Sequence, residues 1–347
     1  MNTLYIDRPG YELRWREGAL QLRRDGELER SVPAALLQRV VLRADTLLSS
    51  ATLAALADAD IGLLAFGGRG GQRVAQLMGK PGADARLRLA QCDLALQEGA
   101  SAAIAARLVR AKLLGQARLL RRALAQRPDL RKPLLDGLET LGLTLAQLRG
   151  AAASALPIGS LRGLEGAGAA AYFRAYQQLF APALGFVGRR RRPPPDPVNA
   201  ALSLGYTLLH AQAAQVLWSQ GLDPALGFLH APAYSRASLA CDLMEPWRVQ
   251  VDQLVWDAFR ERTLRPEHFG RDGAGACLMG KQARAALYPL LHLAARRSEP
   301  AMRRTARALA RALLANSALA AACGAAAEAE DGAGGGGGAE QGEGGPP

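Results

Sequence analysis

The chain has only four cysteines, at 92, 241, 277 and 323, and no two of them form a CxxC pair. That spacing suggests neither a zinc ribbon nor a disulfide framework. It reads as reduced, buried thiols in a cytoplasmic protein. No uncharged apolar run reaches the roughly 18 residues that a membrane span needs, so no membrane association is expected. The opening residues MNTLYIDRPG lack the basic start and apolar stretch of a secretory signal. No Gly-rich loop ends in GK[ST], no Rossmann glycine fingerprint appears, and no Ser-His-Asp or Cys-His arrangement is readable.

Lysine is scarce too. It stands only at 80, 112, 132 and 281, so nearly all of the positive charge is arginine. The net charge is +12 and the pI about 10.2, which points to a polyanionic partner. An Ala-, Leu- and Arg-rich composition also arises from genomic base bias, which would make part of this basicity incidental. The acids are partly segregated: Glu328, Glu330, Asp331, Glu340 and Glu343 lie in a final 24 residues without a base. The rest of the chain is correspondingly more basic.

What is present divides into three stretches. At 347 residues, with 49% hydrophobic residues, the chain is long enough for two domains with a sizeable core. Residues 1–82 read as a β-rich domain. TLYI, YELRWRE, ALQLRR, RVVLR, IGLLAF and QRVAQL are short runs bounded by Gly, Asp or Pro, with one helix predicted between Asp45 and Asp60. The glycines from Gly67 to Gly71 read as a hairpin turn. Residues 83–323 read as all-α, with helical periodicity from Arg86 to Arg127 ended by Pro128. Further helices are predicted over 161–180, from Asp196 (an N-cap followed by proline) to about Gln220, over 237–262, and as two more over 281–323. Residues 324–347 are a low-complexity Gly/Glu-rich tail, expected to be disordered. The fold class is α+β: a small β-rich domain followed by a larger helical one.

Two arginine groups suit phosphate. Arg107 with Arg118, and Arg110 with Arg121, recur at three-turn spacing and form a stripe on one helix, which a solvated face would also show. Arg189, Arg190, Arg191 and Arg192 run into Pro193–Pro195; they read as a phosphate-contacting loop or a solvated linker.

Three acidic and imidazole groups stand out. His230, one of four histidines, ends the turn-rich segment Gly221–Leu229 between two helices. Asp242 and Glu245 share a helix face by their three-residue spacing, which favours a compensating cation. Pro246 cannot donate to the carbonyl of Asp242, so the helix opens there, and Arg248 offers a counter-charge. Glu165 is the only acid from Leu161 to Pro195 and needs a partner if buried. The glycines at 163, 166 and 168 weaken its helix and allow close approach to the backbone. Two carboxylates and one imidazole suit a hard or borderline cation. The histidine tilts the set from strict Mg²⁺ toward Mn²⁺ tolerance.

These segments resemble a known family. Arg162-Gly163-Leu164-Glu165-Gly166 with Tyr172 and Phe173 is similar to the RGxEG…YF segment of the CRISPR-associated endonucleases and spacer-acquisition integrases, the Cas one family. Asp196 through Asn199, Ser203 and Tyr206 resembles its DPxNxxLSxGY helix. Gly221 through His230 resembles its GLDPxxGFLH loop, and Leu239 through Arg248 its LAxDLMEPFR helix, with Trp247 in place of Phe.

The resemblance implies that Glu165, His230 and Glu245 ligate Mg²⁺ or Mn²⁺. Asp242 is implied as an acidic neighbour supporting the site, in contact with metal through water. Arg162, Asn199, Tyr206 and Arg248 are implied to line or brace the site and to be candidates for DNA contact. Homodimerisation through the β-rich domain is implied, as is a heterohexamer with the small CRISPR-associated subunit Cas two. So is metal-dependent joining of the 3′-hydroxyl ends of captured double-stranded foreign DNA to the CRISPR repeat by transesterification, with nicking of branched DNA at the same site. The alternative is a non-catalytic DNA-binding scaffold of the same fold.

Overall fold

The computed structural model describes residues 3–67, 73–80, 82, 84–149, 155–190, 193–273 and 275–323. The tail, Arg191, Arg192 and most of the glycine-rich turn after Gly67 lie outside them.

The N-terminal region is built from two sheets and one helix. Strands β1 (Thr3–Ile6), β5 (Arg39–Leu42) and β7 (Gly62–Gly67) are parallel neighbours, and β8 (Arg73–Leu77) adds to β7 antiparallel. The second sheet has the order β4 (Glu27–Pro33), β3 (Ala19–Arg24), β2 (Tyr11–Arg16), β6 (Thr46–Leu48). The pairing of Gly67 with Arg73 makes β7 and β8 the two arms expected around the glycine-rich turn.

The first sheet feeds two cores, because successive side chains on a strand point to opposite faces. Leu4, Ile6, Val40, Leu42 and Leu63 join Leu13, Leu20 and Leu56 in a core between the sheets and helix α1 (Ser50–Asp58). Val41 and Leu64 face the other way, into the helical core. This is why RVVL is buried at every position. The sheet is pinned to the helices by buried Arg39, whose Nη2 donates to Gln215 Oε1 at 2.6 Å.

The helical region comprises α2 (Ala85–Leu96), α3 (Glu98–Gln126), α4 (Arg131–Gln147), α5 (Ile158–Tyr176), α6 (Pro197–Ser219), α7 (Ser238–Met244), α8 (Arg248–Arg260) and α9 (Lys281–Asn316). A short hairpin, β9 (Phe269–Arg271) with β10 (Cys277–Met279), precedes α9. The α6 start matches its sequence signal: Asp196 accepts the Asn199 N–H at 2.8 Å, and Pro197 occupies the first turn. Buried residues run all round α6, as in a helix surrounded by protein.

The structure departs from the sequence expectations in several places: α4 was not predicted, and the β9–β10 hairpin interrupts a region read as all-α. The periodic stretch after Arg86 is two helices, because Gln97 is extended (φ −86°, ψ 111°) and ends α2 before Glu98 starts α3. The helix predicted over 237–262 opens at Pro246 as expected, but far enough to divide it into α7 and α8 at a 3₁₀ turn, Glu245–Trp247, where the Glu245 N–H turns to the carbonyl of Asp242. Strands β4 and β6 carry no clear sequence alternation; most of β4 is exposed, so no apolar period was there to read. Finally, Pro289 and Pro300 lie inside α9, which runs to Asn316 before a second helical segment over 318–323.

Candidate metal and phosphate site

Four helices meet where the site residues lie. Gly168 on α5 packs so closely on α3 that a Cβ there would stand 2.5 Å from Leu113 Cδ2. This close approach places Glu165, one turn earlier on α5, against Lys112 on α3. Around Gly163 and Gly166, by contrast, an added Cβ would meet nothing within 4 Å. Of the three glycines that promised close approach, only Gly168 provides it.

Lys112 is the residue that sequence reading missed. It is 6% exposed, and its ammonium forms ion pairs with both Glu165 and Glu245, the latter at 2.5 Å from Oε2. The other oxygen of Glu245 receives Arg248 Nη1 at 2.7 Å. Burial pushes the Glu245 carboxyl up, but Arg248 and Lys112 outweigh it and hold it at about 2. Burial likewise works against the Arg248 guanidinium, yet Glu245 more than restores its charge and raises its pKa. One signal for Lys112 existed: it is the only lysine on a helix whose other cations are all arginine.

His230 is positioned from behind. Its Nδ1 lies 2.6 Å from Asp242 Oδ1, and the Asp242 carboxylate also accepts the backbone N–H groups of Phe228, Leu229 and His230 at 2.7–3.0 Å. Asp242 is fully buried. With Nδ1–H donated to this carboxylate, Nε2 is the ring atom left to accept, the tautomer in which histidine binds metals. Gln91 clamps the start of the loop, bonding the N–H and carbonyl of Asp223 and the carbonyl of Leu226 at 2.8–2.9 Å. Gly227 is required: a Cβ there would stand 2.6 Å from the His230 carbonyl and 2.8 Å from Ser238. Arg162 closes the loop by donating from Nε to the Leu229 carbonyl at 2.8 Å.

A cavity of about 330 Å³ opens beside Glu165, lined among others by Lys112, Phe173, Arg189, Tyr206, Arg248 and Asp252. Arg189 and Arg248 both lie over the Tyr206 ring, at 5.3 and 4.3 Å from its centre. The Tyr206 hydroxyl bonds Asp252, as does Tyr172 at 2.8 Å. Burial raises the Asp252 pKa against the opposing pull of these hydroxyls. A larger cleft of about 830 Å³ lies between α3, α8 and α9, yet none of Glu165, His230 or Glu245 lines it. Volume is therefore not the guide here; the converging charges are.

The structure thus brings Glu165 and Glu245 together around Lys112 and sets His230 on Asp242. Among the described residues, no three of His, Cys, Asp and Glu stand close enough as placed to share a metal ion. Two sequence expectations need correction. Asp242 has no free face for a metal-bound water, since both oxygens are taken by the His230 loop. Asn199 is fully buried and cannot reach DNA; it bonds Asp196, the Gly188 carbonyl, the Arg190 N–H and the Arg189 guanidinium, and so braces the arginine segment. Tyr206 is 7% exposed and its hydroxyl is used internally, so it lines the cavity only with its ring. Arg107, Arg110, Arg118 and Arg121 are exposed on α3, and Arg190 is exposed after α5.

These features define an α+β protein with a charged polar centre where α3 and α5 cross. The family model described as CRISPR associated protein Cas1 matches residues 4–292. The chain is 34% identical over 298 residues to the CRISPR-associated endonuclease Cas1 1 of Thermodesulfovibrio yellowstonii, covering 84% of this chain and 90% of that one. It is 38% identical over 272 residues to a Thermus thermophilus protein of the same name, covering 77% and 78%. In fold it is similar to a casposase bound to integration product (TM-score 0.76, 20% identity, 92% of each chain). It is also similar to a Cas1 protein from Thermotoga maritima (TM-score 0.75, 18% identity, 90% and 97%). The chain belongs to the CRISPR associated protein Cas1 family. Among the described residues, no helix is long and apolar enough to cross a membrane.

Proposed function

We propose that this protein is a divalent-metal-dependent DNA endonuclease and integrase of CRISPR adaptation. It joins the 3′-hydroxyl ends of captured double-stranded DNA to the CRISPR repeat. The observation that carries this reading is the meeting of Glu165 and Glu245 on Lys112, beside a cavity lined by Lys112, Arg189 and Arg248, with His230 held separately on Asp242.

The donor chemistry fits Mg²⁺ or Mn²⁺: two carboxylates, and an imidazole whose Nδ1 is tied to a carboxylate. Glu165, His230 and Glu245 are the residues that would hold it. When bound, such an ion polarises the target phosphodiester and offsets charge on the departing oxygen. The chain's own groups do the rest. Arg248 and Arg189 present guanidinium groups to the phosphate, their planes held on Tyr206. Asp242 fixes the imidazole, and the Asp252–Tyr172–Tyr206 cluster holds the floor of the cavity. In the reaction a 3′-hydroxyl oxygen bonds to phosphorus as the bond to the target strand's 3′ oxygen breaks, the proton lost by the attacking hydroxyl being matched by one gained by the leaving oxygen. With water as nucleophile the same exchange is a nick.

The exposed arginines at 107, 110, 118 and 121 on α3, together with Arg162, Arg189 and Arg190, are proposed to follow the DNA backbone. Such contacts position the duplex without reading sequence. A homodimer through the strand-rich region, assembled with the small subunit Cas2, is the proposed working form. One solved structure of similar fold is a Cas6-RT-Cas1–Cas2 complex.

A non-catalytic scaffold has one observation in its favour: Lys112 forms ion pairs with both carboxylates without any metal. The two readings separate on one experiment. Purified protein and a Glu245→Ala variant are incubated with branched DNA and Mn²⁺. Strand transfer or cleavage by the wild type alone supports the enzyme. Equal products from both proteins would sink the metal site, and inactivity of both favours the scaffold.

A further inference from the structure

We propose that Lys112 is an internal counter-cation that makes divalent-metal binding at Glu165 and Glu245 depend on the arrival of a phosphate group. The inference rests on the metal-site reading above and assigns Lys112 a positioning role within it.

Glu165 and Glu245 carry two negative charges, and Lys112 and Arg248 carry two positive ones within ion-pair distance. The quartet is therefore neutral and partly withdrawn from water: Lys112 is 6%, Glu245 5% and Arg248 15% exposed, while Glu165, at 26%, borders the cavity. A divalent cation added to this set leaves two uncompensated charges in a poorly solvated place, which is costly. The cost falls in two ways at once if the ammonium leaves the carboxylates and an anion enters. The cavity permits both. It abuts Lys112 and Glu165, and Arg189 and Arg248 on its wall suit a phosphodiester.

The side chain at 112 suits a hand-over. An ammonium is a compact donor with three N–H groups on a flexible stem, able to serve two carboxylates and then turn to a phosphate oxygen. It stays protonated throughout; only its partners change. A guanidinium at that position would be bulkier and fixed in its fork. Without DNA, Lys112 keeps the two carboxylates engaged and the metal weakly held. With DNA, phosphate draws the ammonium away and the carboxylates become available. By linkage the metal tightens DNA binding by the same factor. Metal-dependent cleavage is thereby confined to the DNA-bound protein.

The test is Mn²⁺ affinity, read from the EPR signal of free Mn²⁺, for the full chain with and without a short branched DNA duplex. For the wild type, DNA is expected to tighten Mn²⁺ by about tenfold or more, given the strength of charge pairs at such distances. Lys112→Gln is expected to bind Mn²⁺ without DNA about tenfold more tightly than wild type, and to lose most of the DNA-dependent gain. Lys112→Arg, which keeps the charge, is expected to retain the weak DNA-free binding.

Thermal melting checks the fold. Metal-free Lys112→Gln should melt below wild type, and Mn²⁺ should raise its midpoint by more. The proposal is overturned if folded Lys112→Gln binds Mn²⁺ no more tightly than wild type. The wild-type arm needs no variant: equal Mn²⁺ affinity with and without DNA also overturns the proposal and leaves the metal site standing. If no form of the protein binds Mn²⁺ under either condition, the metal-site reading itself fails and takes this one with it.

Discussion

His230 Nδ1 lies 2.6 Å from Asp242 Oδ1, and the same buried carboxylate holds three consecutive backbone N–H groups of the loop that carries the histidine. One side chain thus sets both the path of the loop and the tautomer of the ring. Asp242→Asn keeps the shape but replaces an acceptor oxygen with a donor. Strand transfer is expected to fall about 10- to 100-fold, the usual cost of losing the carboxylate behind a ligating histidine. Asp242→Ala strands the loop N–H groups and is expected to cost about 3–5 kcal/mol of stability as well. Activity assays and thermal melts on the two variants separate these effects. Unchanged activity in Asp242→Asn would show that the imidazole does not depend on this bond.

The glycines of α5 give a test with opposite signs. Gly163 has open space around it, so Gly163→Ala is expected to stabilise the fold by up to about 1 kcal/mol, through helix propensity alone. Gly168 abuts the fully buried Leu113, so Gly168→Ala is expected to destabilise by about 1–3 kcal/mol through overpacking. It should also push Glu165 away from Lys112. Urea titration of both variants reads the difference.

Stability should fall with acid through His210 on α6. Burial lowers its pKa from 6.5, against a smaller upward pull from its backbone hydrogen bond with Ala237. The unfolded chain therefore binds a proton at a higher pH than the native one does. Stability is full above 6.5 and declines as pH falls from 6.5 through the lower native value. His210→Gln is expected to flatten that part of the pH–stability curve. An identical slope in the variant would remove His210 as its source.

The arginine stripe predicts a salt effect. Arg118→Ala and Arg121→Ala should each weaken DNA binding regardless of sequence. Each should lower the slope of log K against log salt by about one. Fluorescence anisotropy over a salt series measures it. Unchanged slopes would mean that this face of α3 is simply solvated.

The local signals were legible in the sequence because each depends on near neighbours. The Asp196–Pro197 helix start, the opening at Pro246 and the short strand runs RVVL and IGLLAF all appear in the structure as local chemistry required. The four ordered motifs that pointed to the family were legible in the same way. The break at Gln97 was not legible, since an apolar period continues across it and only packing reveals the extended residue. Strand β4 was hidden for the opposite reason, being too exposed to carry an apolar pattern.

The site divides in the same way. Glu165, His230 and Glu245 were nominated by residue type and motif, and Asp242 by its spacing from Glu245. That Asp242 serves the His230 loop, that Asn199 braces arginines from inside, and that Lys112 joins two carboxylates were decided by the tertiary structure. These contacts join positions up to 133 residues apart, as between Lys112 and Glu245. No spacing rule reaches that far. Only the crossing of α3 and α5 at Gly168, with the Glu245 turn packed alongside, determines which charges meet.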